Sequence, residues 1–205
     1  DPSYGYQHPV PLLDAQRAIR LTRSKSEEWG IDPERIGVLG FSAGGHLAST
    51  CGTLFDRNLM VRDRDAIDRL SSRPNFMVLV YPVISTTKPF GHSGSKNNLL
   101  GAEPDPDVVR LLSSELNVTD KTPPTFLVHA HNDPVASENS VYFYLALKNS
   151  KVPAEMHLYE TGGHGFGLGR SGDLVSTWPQ RCEDWMRARG LLDKPEPKPD
   201  KPEAK

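Results

Sequence analysis

The stretch "IGVLGFSAGGHLAS", Ile36 to Ser49, holds the residues most able to do chemistry. A β-branched and aliphatic run closes on Gly-Phe-Ser-Ala-Gly around Ser42 and opens at once into small residues. Gly-x-Ser-x-Gly is short, and a chain with 17 glycines can meet it by chance, so context decides. A nucleophilic serine of this kind needs a strand, a sharp turn that strains its own backbone, and a helix. Gly40 and Gly44 are expected to leave room where side chains would collide. Strand and helix signals flank Ser42 on the required sides. The similar runs "GHSGS" around Ser93 and "GRSGD" around Ser171 have neither the spacing nor a strand feeding a helix. The competing use of such a turn is a phosphate site at a helix N-terminus.

A serine hydroxyl is a poor nucleophile until a base takes its proton. With a strand-turn-helix serine, the chain order that follows is acid, then histidine. The acid belongs just past the C-terminal end of a strand, where sites in parallel sheets collect. Asp133 stands three residues beyond the apolar run "TFLVHA", and His164, in "ETGGHGFG", comes 31 residues later. Both lie on segments leaving the end of the sheet at which Ser42 sits. Such a base works only as neutral imidazole, so activity should rise with pH as it loses its proton.

The remaining histidines have structural readings. His46, one turn into the helix after Ser42, is expected to be buried and hydrogen-bonded, and His129 to satisfy its nitrogens inside a strand. His131 precedes Asp133 and has no second carboxylate placed downstream. His157 alternates with apolar neighbours along its strand, and His8 and His92 are loop residues. No histidine pair has zinc-ligand spacing with a third ligand, so no metal site is expected. "GGHGFG" is not followed closely by a helix, which discounts a dinucleotide-binding loop. Cys51 and Cys182 are too few for a disulfide framework and read as buried thiols in helices.

The elements that must position these residues alternate helix and strand. Residues 11–29 place Leu12, Ala15, Ile19, Thr22 and Trp29 near one helical stripe that Gly30 ends. Strands are expected over 36–39, 76–81, 125–130 and 155–159, and helices over 44–54, 137–149 and 177–189. Ser137 and Thr177 are the expected N-caps. "FMVLVY" and "TFLVHA" are continuous apolar runs, as strands covered on both faces require. The pattern predicts an α/β fold, a parallel sheet with helices on both faces. The segment 84–122 reads as a long excursion with one helix near 106–112.

The 205 residues suit one domain with an ordinary core. Hydrophobic content of 37%, charged content of 24% and a net charge of -2 leave no electrostatic footprint for nucleic acid or for a polybasic membrane anchor. No apolar run approaches the length of a membrane span. The first residues, "DPSYGYQHPVP", have neither the charged start nor the apolar core of a signal peptide. With no initiator Met, the chain is expected to be processed or cut from something longer. The stretch 193–205, rich in proline and charge, is expected to be a disordered tail.

The wording "HPVPLLDAQRAIRLTRSKSEEWGIDPERIGVLGFSAGGHLAST", then "YPVIS", "PPTFLVHAHNDPV" and "VPAEMHLYETGGHGFG", resembles the α/β-hydrolase family of acetyl-xylan-esterase and feruloyl-esterase-like carbohydrate esterases. The likeness covers residues 6 to about 192. It implies Ser42 as nucleophile, Asp133 as acid and His164 as base, with the backbone N–H of Ala43 as one oxyanion donor. It implies a small ester or acylated saccharide as substrate, no cofactor, and a secreted or extracytoplasmic setting. The family usually shows "DDPV" where this chain has Asn132-Asp133-Pro134-Val135.

Family members begin with about four further strands and a glycine-rich loop that supplies the second oxyanion donor, and neither precedes Ser42 here. Residues 1–192 are therefore expected to be the C-terminal portion of one hydrolase domain. The strand at 36–39 should present an apolar edge, covered by an upstream segment or by another copy of the chain. An acyl pocket should draw on 84–122 and on the loop after Asp133. Two rival readings are a prolyl-oligopeptidase-like peptidase and a non-catalytic, incomplete hydrolase fold.

Overall fold

A computed structural model describes residues 5–57, 59 and 65–193. The expected tail lies, apart from Asp193, outside the described residues. Seven α-helices and four strands alternate in chain order among those described. They are α1 (Val10–Ser24), α2 (Ser26–Trp29), β1 (Gly37–Phe41), α3 (Ala43–Thr53), β2 (Phe76–Val80), α4 (Ser93–Leu100), α5 (Pro106–Leu111), β3 (Thr125–Ala130), α6 (Glu138–Asn149), β4 (Ala154–Tyr159) and α7 (Trp178–Ala188).

The four strands form one parallel sheet in the order β1-β2-β3-β4. Side chains alternate across a strand, so β2 serves two cores at once. Met77 and Leu79 pack with Ala48 of α3 and with Phe143 and Leu147 of α6. Val78 and Val80 pack with Trp178, Cys182 and Trp185 of α7 on the other face. Burial on both faces is why "FMVLV" and "TFLVHA" carry apolar residues without a polar alternation. Outside α3, α1 closes a third cluster, with Leu12 and Ile19 against Cys51 and Leu54. Cys51 and Cys182 are buried free thiols, and burial pushes the Cys51 thiol up to about 12.

Among the described residues β1 pairs only with β2, and Leu39 at that edge is 51% exposed. An edge strand with an unpaired backbone row is a template for pairing.

Several boundaries differ from the sequence expectation, each for a physical reason. The stripe over 11–29 is two helices, because the chain kinks at Lys25 before α2 ends at Gly30 in the left-handed conformation. β1 runs two residues further than expected, carrying the ladder to Phe41 beside the serine. The excursion at 84–122 holds α4 as well as α5. The α4 sequence, "SGSKNNLL", has no buried residue and thus no apolar period to read. It starts because His92 caps it, the imidazole accepting from the Ser95 N–H at 3.2 Å. Neither Ser137 nor Thr177 caps its helix through its side chain. The Thr177 hydroxyl donates instead to the Leu174 carbonyl at 2.8 Å.

Candidate active site

Ser42 follows the last residue of β1 and has φ 52, ψ -119, a region that L-residues rarely occupy. Such strain persists only where surrounding bonds over-determine it, and here they do. The Ser42 N–H donates to the Val80 carbonyl at 3.0 Å, and its carbonyl accepts from His46 N–H at 3.2 Å and Val83 N–H at 3.1 Å. The turn also demands small neighbours. A Cβ on Gly40 would lie 2.1 Å from the Gly44 carbonyl oxygen, and one on Gly45 would lie 2.7 Å from Pro82 Cβ. A Cβ on Gly44 would meet nothing within 4 Å, which corrects the expectation that the motif's second glycine makes room. Gly45 does that, because the first turn of α3 lies against Pro82.

The three residues singled out in sequence meet in space. The Ser42 hydroxyl lies 2.8 Å from His164 Nε2, and His164 Nδ1 lies 2.9 Å from each oxygen of the Asp133 carboxylate. A carboxylate can only accept, so Nδ1 carries the proton and Nε2 is left to accept from the serine. The Asp133 side chain is fully shielded, while the imidazole keeps a partly open face. Ala43, the first residue of α3, has no carbonyl one helical turn back for its N–H to bond, and that N–H sits beside Ser42.

Asp133 is held by its own loop. The Val135 N–H donates to Asp133 Oδ1 at 2.7 Å. His129, fully buried in β3, donates through Nε2 to the Val135 carbonyl at 2.9 Å, and that nitrogen lies 3.4 Å from Asp133 Oδ2. Its Nδ1 takes the Ser140 hydroxyl at 2.8 Å. Burial lowers the His129 pKa and keeps the ring neutral. Both nitrogens are satisfied, as a core histidine requires, yet one of them also lines the back of the acid.

The other histidines are apart from this chain of bonds. His46 is buried, bonds the Leu112 carbonyl at 2.7 Å and has its pKa lowered by burial. His157 pairs with Glu155. His131 is exposed. Among the described residues no group of three or more His, Cys, Asp or Glu could hold a metal ion.

Two residues beside His164 gave no signal in the sequence. Tyr81, the residue after β2, has φ 38, stacks edge-on to the His164 ring at 4.9 Å and accepts from Gly167 N–H at 3.2 Å. Asn132 Oδ1 accepts from Gly162 N–H at 3.0 Å and Gly163 N–H at 2.8 Å. Only its place beside Asp133 could have flagged Asn132. Tyr81 looks like the end of a strand until its φ is known.

Two cavities flank the site. One, of about 340 Å³, is bordered by Ala43, His46, Leu47, Ser95, Leu99 and Leu112, with Tyr6 and His8 at its rim. The 84–122 segment contributes Ser95, Leu99 and Leu112 to its lining. The other, of about 300 Å³, is lined by His164, Phe166, Arg170 and Asp173 with Gly162 and Gly165.

A parallel sheet covered by helices, with a serine on a strained strand-to-helix turn and acid and histidine loops at the same end, defines the α/β-hydrolase class. A match to the BD-FAE family spans residues 3–147, and the chain belongs to that family. It is 34% identical over 187 residues to endo-1,4-beta-xylanase B of Butyrivibrio fibrisolvens, covering 89% of this chain and 29% of that protein. It is 32% identical to an acetylxylan esterase of Xylanibacter ruminicola, covering 87% of this chain and 36% of that protein. The chain thus spans about a third of the length of these curated relatives. Among solved structures, an acetyl ester-xyloside bifunctional hydrolase from Caldicellulosiruptor lactoaceticus matches with TM-score 0.86 and 52% identity, over 91% of this chain and 68% of that one. A carboxylesterase of Lactobacillus plantarum matches with TM-score 0.73 and 27% identity, over 90% of this chain and 70% of that one.

Proposed function

We propose that residues 1–192 carry the nucleophile, base and acid of a serine carboxylesterase that removes short, acetyl-type acyl groups, with acylated xylan or a related saccharide as substrate. The observation that carries this reading is the unbroken line of bonds from the Ser42 hydroxyl through His164 to Asp133. Ser42 attacks the ester carbonyl as its proton passes to His164 Nε2, and Asp133 holds the ring in the required tautomer and stabilises the imidazolium. The oxyanion that forms is met by the N–H of Ala43. One donor of this kind is worth about 3 kcal/mol in the transition state. His164 returns the proton to the departing sugar hydroxyl, and water then repeats the cycle on the acyl-enzyme. Every proton in this scheme is moved by a side chain of the chain itself.

The acetyl group and the saccharide rest on the names of the relatives: an acetylxylan esterase and an acetyl ester-xyloside hydrolase. The test is a fluorophosphonate probe on the purified protein beside Ser42→Ala. Covalent label on the parent and none on the variant supports the serine nucleophile. Release of p-nitrophenol from the acetyl ester faster than from longer esters, with acetate released from acetylated xylan, supports the substrate. A folded parent that takes no label would overturn the reading, and cleavage of a peptide substrate in preference to the esters would replace it with a peptidase.

A further inference from the structure

The segment that carries His164 has little hold of its own. Residues 162–169 belong to no helix or strand, and Gly163 and Gly165, on either side of the histidine, have φ of 65 and 78 with nothing within 4 Å of a Cβ placed on them. Backbone of this kind has the widest choice of conformations before folding and the most to lose on ordering. The imidazole nevertheless has to stand within hydrogen-bond reach of both Ser42 and Asp133. Something outside the segment must fix it.

Bonds from outside appear at both ends. Upstream, one oxygen of Asn132 accepts two consecutive backbone N–H groups, those of Gly162 and Gly163. Both partners are donors, so the side-chain oxygen and not the amide nitrogen must face them. Asn132 is the residue immediately before the acid, so acid and base segments are tied by one side chain. Downstream, the Gly167 N–H donates to the Tyr81 hydroxyl, and the Gly167 carbonyl accepts the indole N–H of Trp178 at 2.8 Å. Between these points the Tyr81 ring lies edge-on to His164 at 4.9 Å and to Phe166 at 4.5 Å. A tyrosine at φ 38 is strained backbone, and strain of this sort is retained where the surroundings require it.

The geometry points to Asn132 and Tyr81 as positioning residues for the proposed base: they set where His164 stands, and neither touches the substrate. This rests on the esterase reading above for its kinetic expression, though not for its structural one. The chemistry at position 132 is that of a two-bond acceptor. A carboxylate there would accept the same two N–H groups but would add a negative charge close to the imidazole and favour its protonated form.

Among the described residues the groups facing His164 are few. They are the Asp133 carboxylate with neutral His129 behind it, the Ser42 hydroxyl and the Tyr81 ring, with Arg170 and Asp173 lining the same cavity. Burial raises the Tyr81 pKa, so the phenol stays uncharged through the working range.

The experiment compares Asn132→Ala, Asn132→Asp and Tyr81→Phe with the parent. It reads kcat and KM on p-nitrophenyl acetate across pH, and the low-field proton resonance of the His164 Nδ1–H bound to Asp133. Asn132→Ala is expected to lower kcat by about tenfold to a hundredfold with KM little changed, the size of effect a misplacement near 1 Å produces. It should also broaden or lose the low-field signal. Asn132→Asp should recover both at alkaline pH, with the acid limb of the profile moved to higher pH. Tyr81→Phe keeps the ring and loses the Gly167 bond, so a several-fold fall in kcat is expected.

Unchanged kcat, pH profile and resonance in Asn132→Ala would overturn the role. So would a failure of Asn132→Asp to recover activity at any pH while it remains folded. A parent that neither turns over nor takes a fluorophosphonate label, but whose resonance is lost in Asn132→Ala and restored in Asn132→Asp, would sink the esterase reading and leave the positioning inference standing.

Discussion

The serine turn at 40–45 and the histidine loop at 162–169 are both dense in glycine, and they need it for different reasons. At the serine turn the limit is space. Gly40 is overlain by the Gly44 carbonyl and Gly45 by Pro82, while the residue in the strained conformation is Ser42 itself. Around the histidine the limit is the backbone, since Gly163 and Gly165 take left-handed φ in open surroundings, and close packing returns only at the loop ends, where Gly162 lies against Ala130 and Gly169 against Ser176. A turn held by close packing positions its own serine. A loop with open glycines at 163, 165 and 167 takes rigidity from Asn132, Tyr81 and Trp178, which belong to other parts of the fold. The same residue type therefore marks a rigid part of the site in one place and a supported part in the other.

This contrast can be broken most directly at Gly40. Gly40→Ala sets a methyl group against backbone that cannot move without shifting the start of α3, so it should cost about 3 kcal/mol of stability. The esterase activity proposed above should fall on the order of a hundredfold. Urea melts and kcat/KM measure the two losses, and near-parental values in both would show that the turn is less tightly packed than its geometry says.

Acid should weaken both regions through their buried imidazoles. His46 lies under the serine turn and His129 under the acid, and burial lowers the pKa of each below the ordinary 6.5. The unfolded chain takes up protons below that pH that the folded chain refuses, so stability is full above it and is lost as pH falls. Melting temperature should drop between about pH 7 and about pH 5. His46→Gln, which can still donate to the Leu112 carbonyl, should show a shallower drop. An identical slope in parent and variant would remove His46 from the account.

Gly163→Ala tests the other half of the comparison. With no atom for the methyl to strike, the penalty is conformational alone, about 1 kcal/mol. For a chain of this size that is about 2–4 °C in melting temperature. A loss as large as that of Gly40→Ala would mean that the loop is packed after all.

The smallest effect is expected at Gly44, which lies in α3 with nothing within 4 Å of its missing Cβ. Gly44→Ala should stabilise by about 0.5 kcal/mol by restricting the unfolded chain. Although it sits inside the signature pattern, its thermal melt should move up, and a fall would show an unseen contact.

The residue pattern alone determined the order of the four strands, the two-sided burial of β2 and β3, and the identity of Ser42, Asp133 and His164 as groups that meet. Each of these is written locally: apolar runs of strand length, a small-residue helix start, and acid and imidazole just past strand ends. What the sequence could not show is what holds them. The pressure on Gly40 and Gly45 comes from residues across a turn and from Pro82. The capping of α4 comes from an imidazole's rotamer. The support of the His164 loop comes from a phenol more than eighty positions away and an amide more than thirty, which no period or spacing links to it. Local pattern encodes which backbone forms, because dihedral preference and burial act over a few residues. Packing against distant chain decides where that backbone is strained and what steadies it, because those forces exist only once the sheet has brought the segments together.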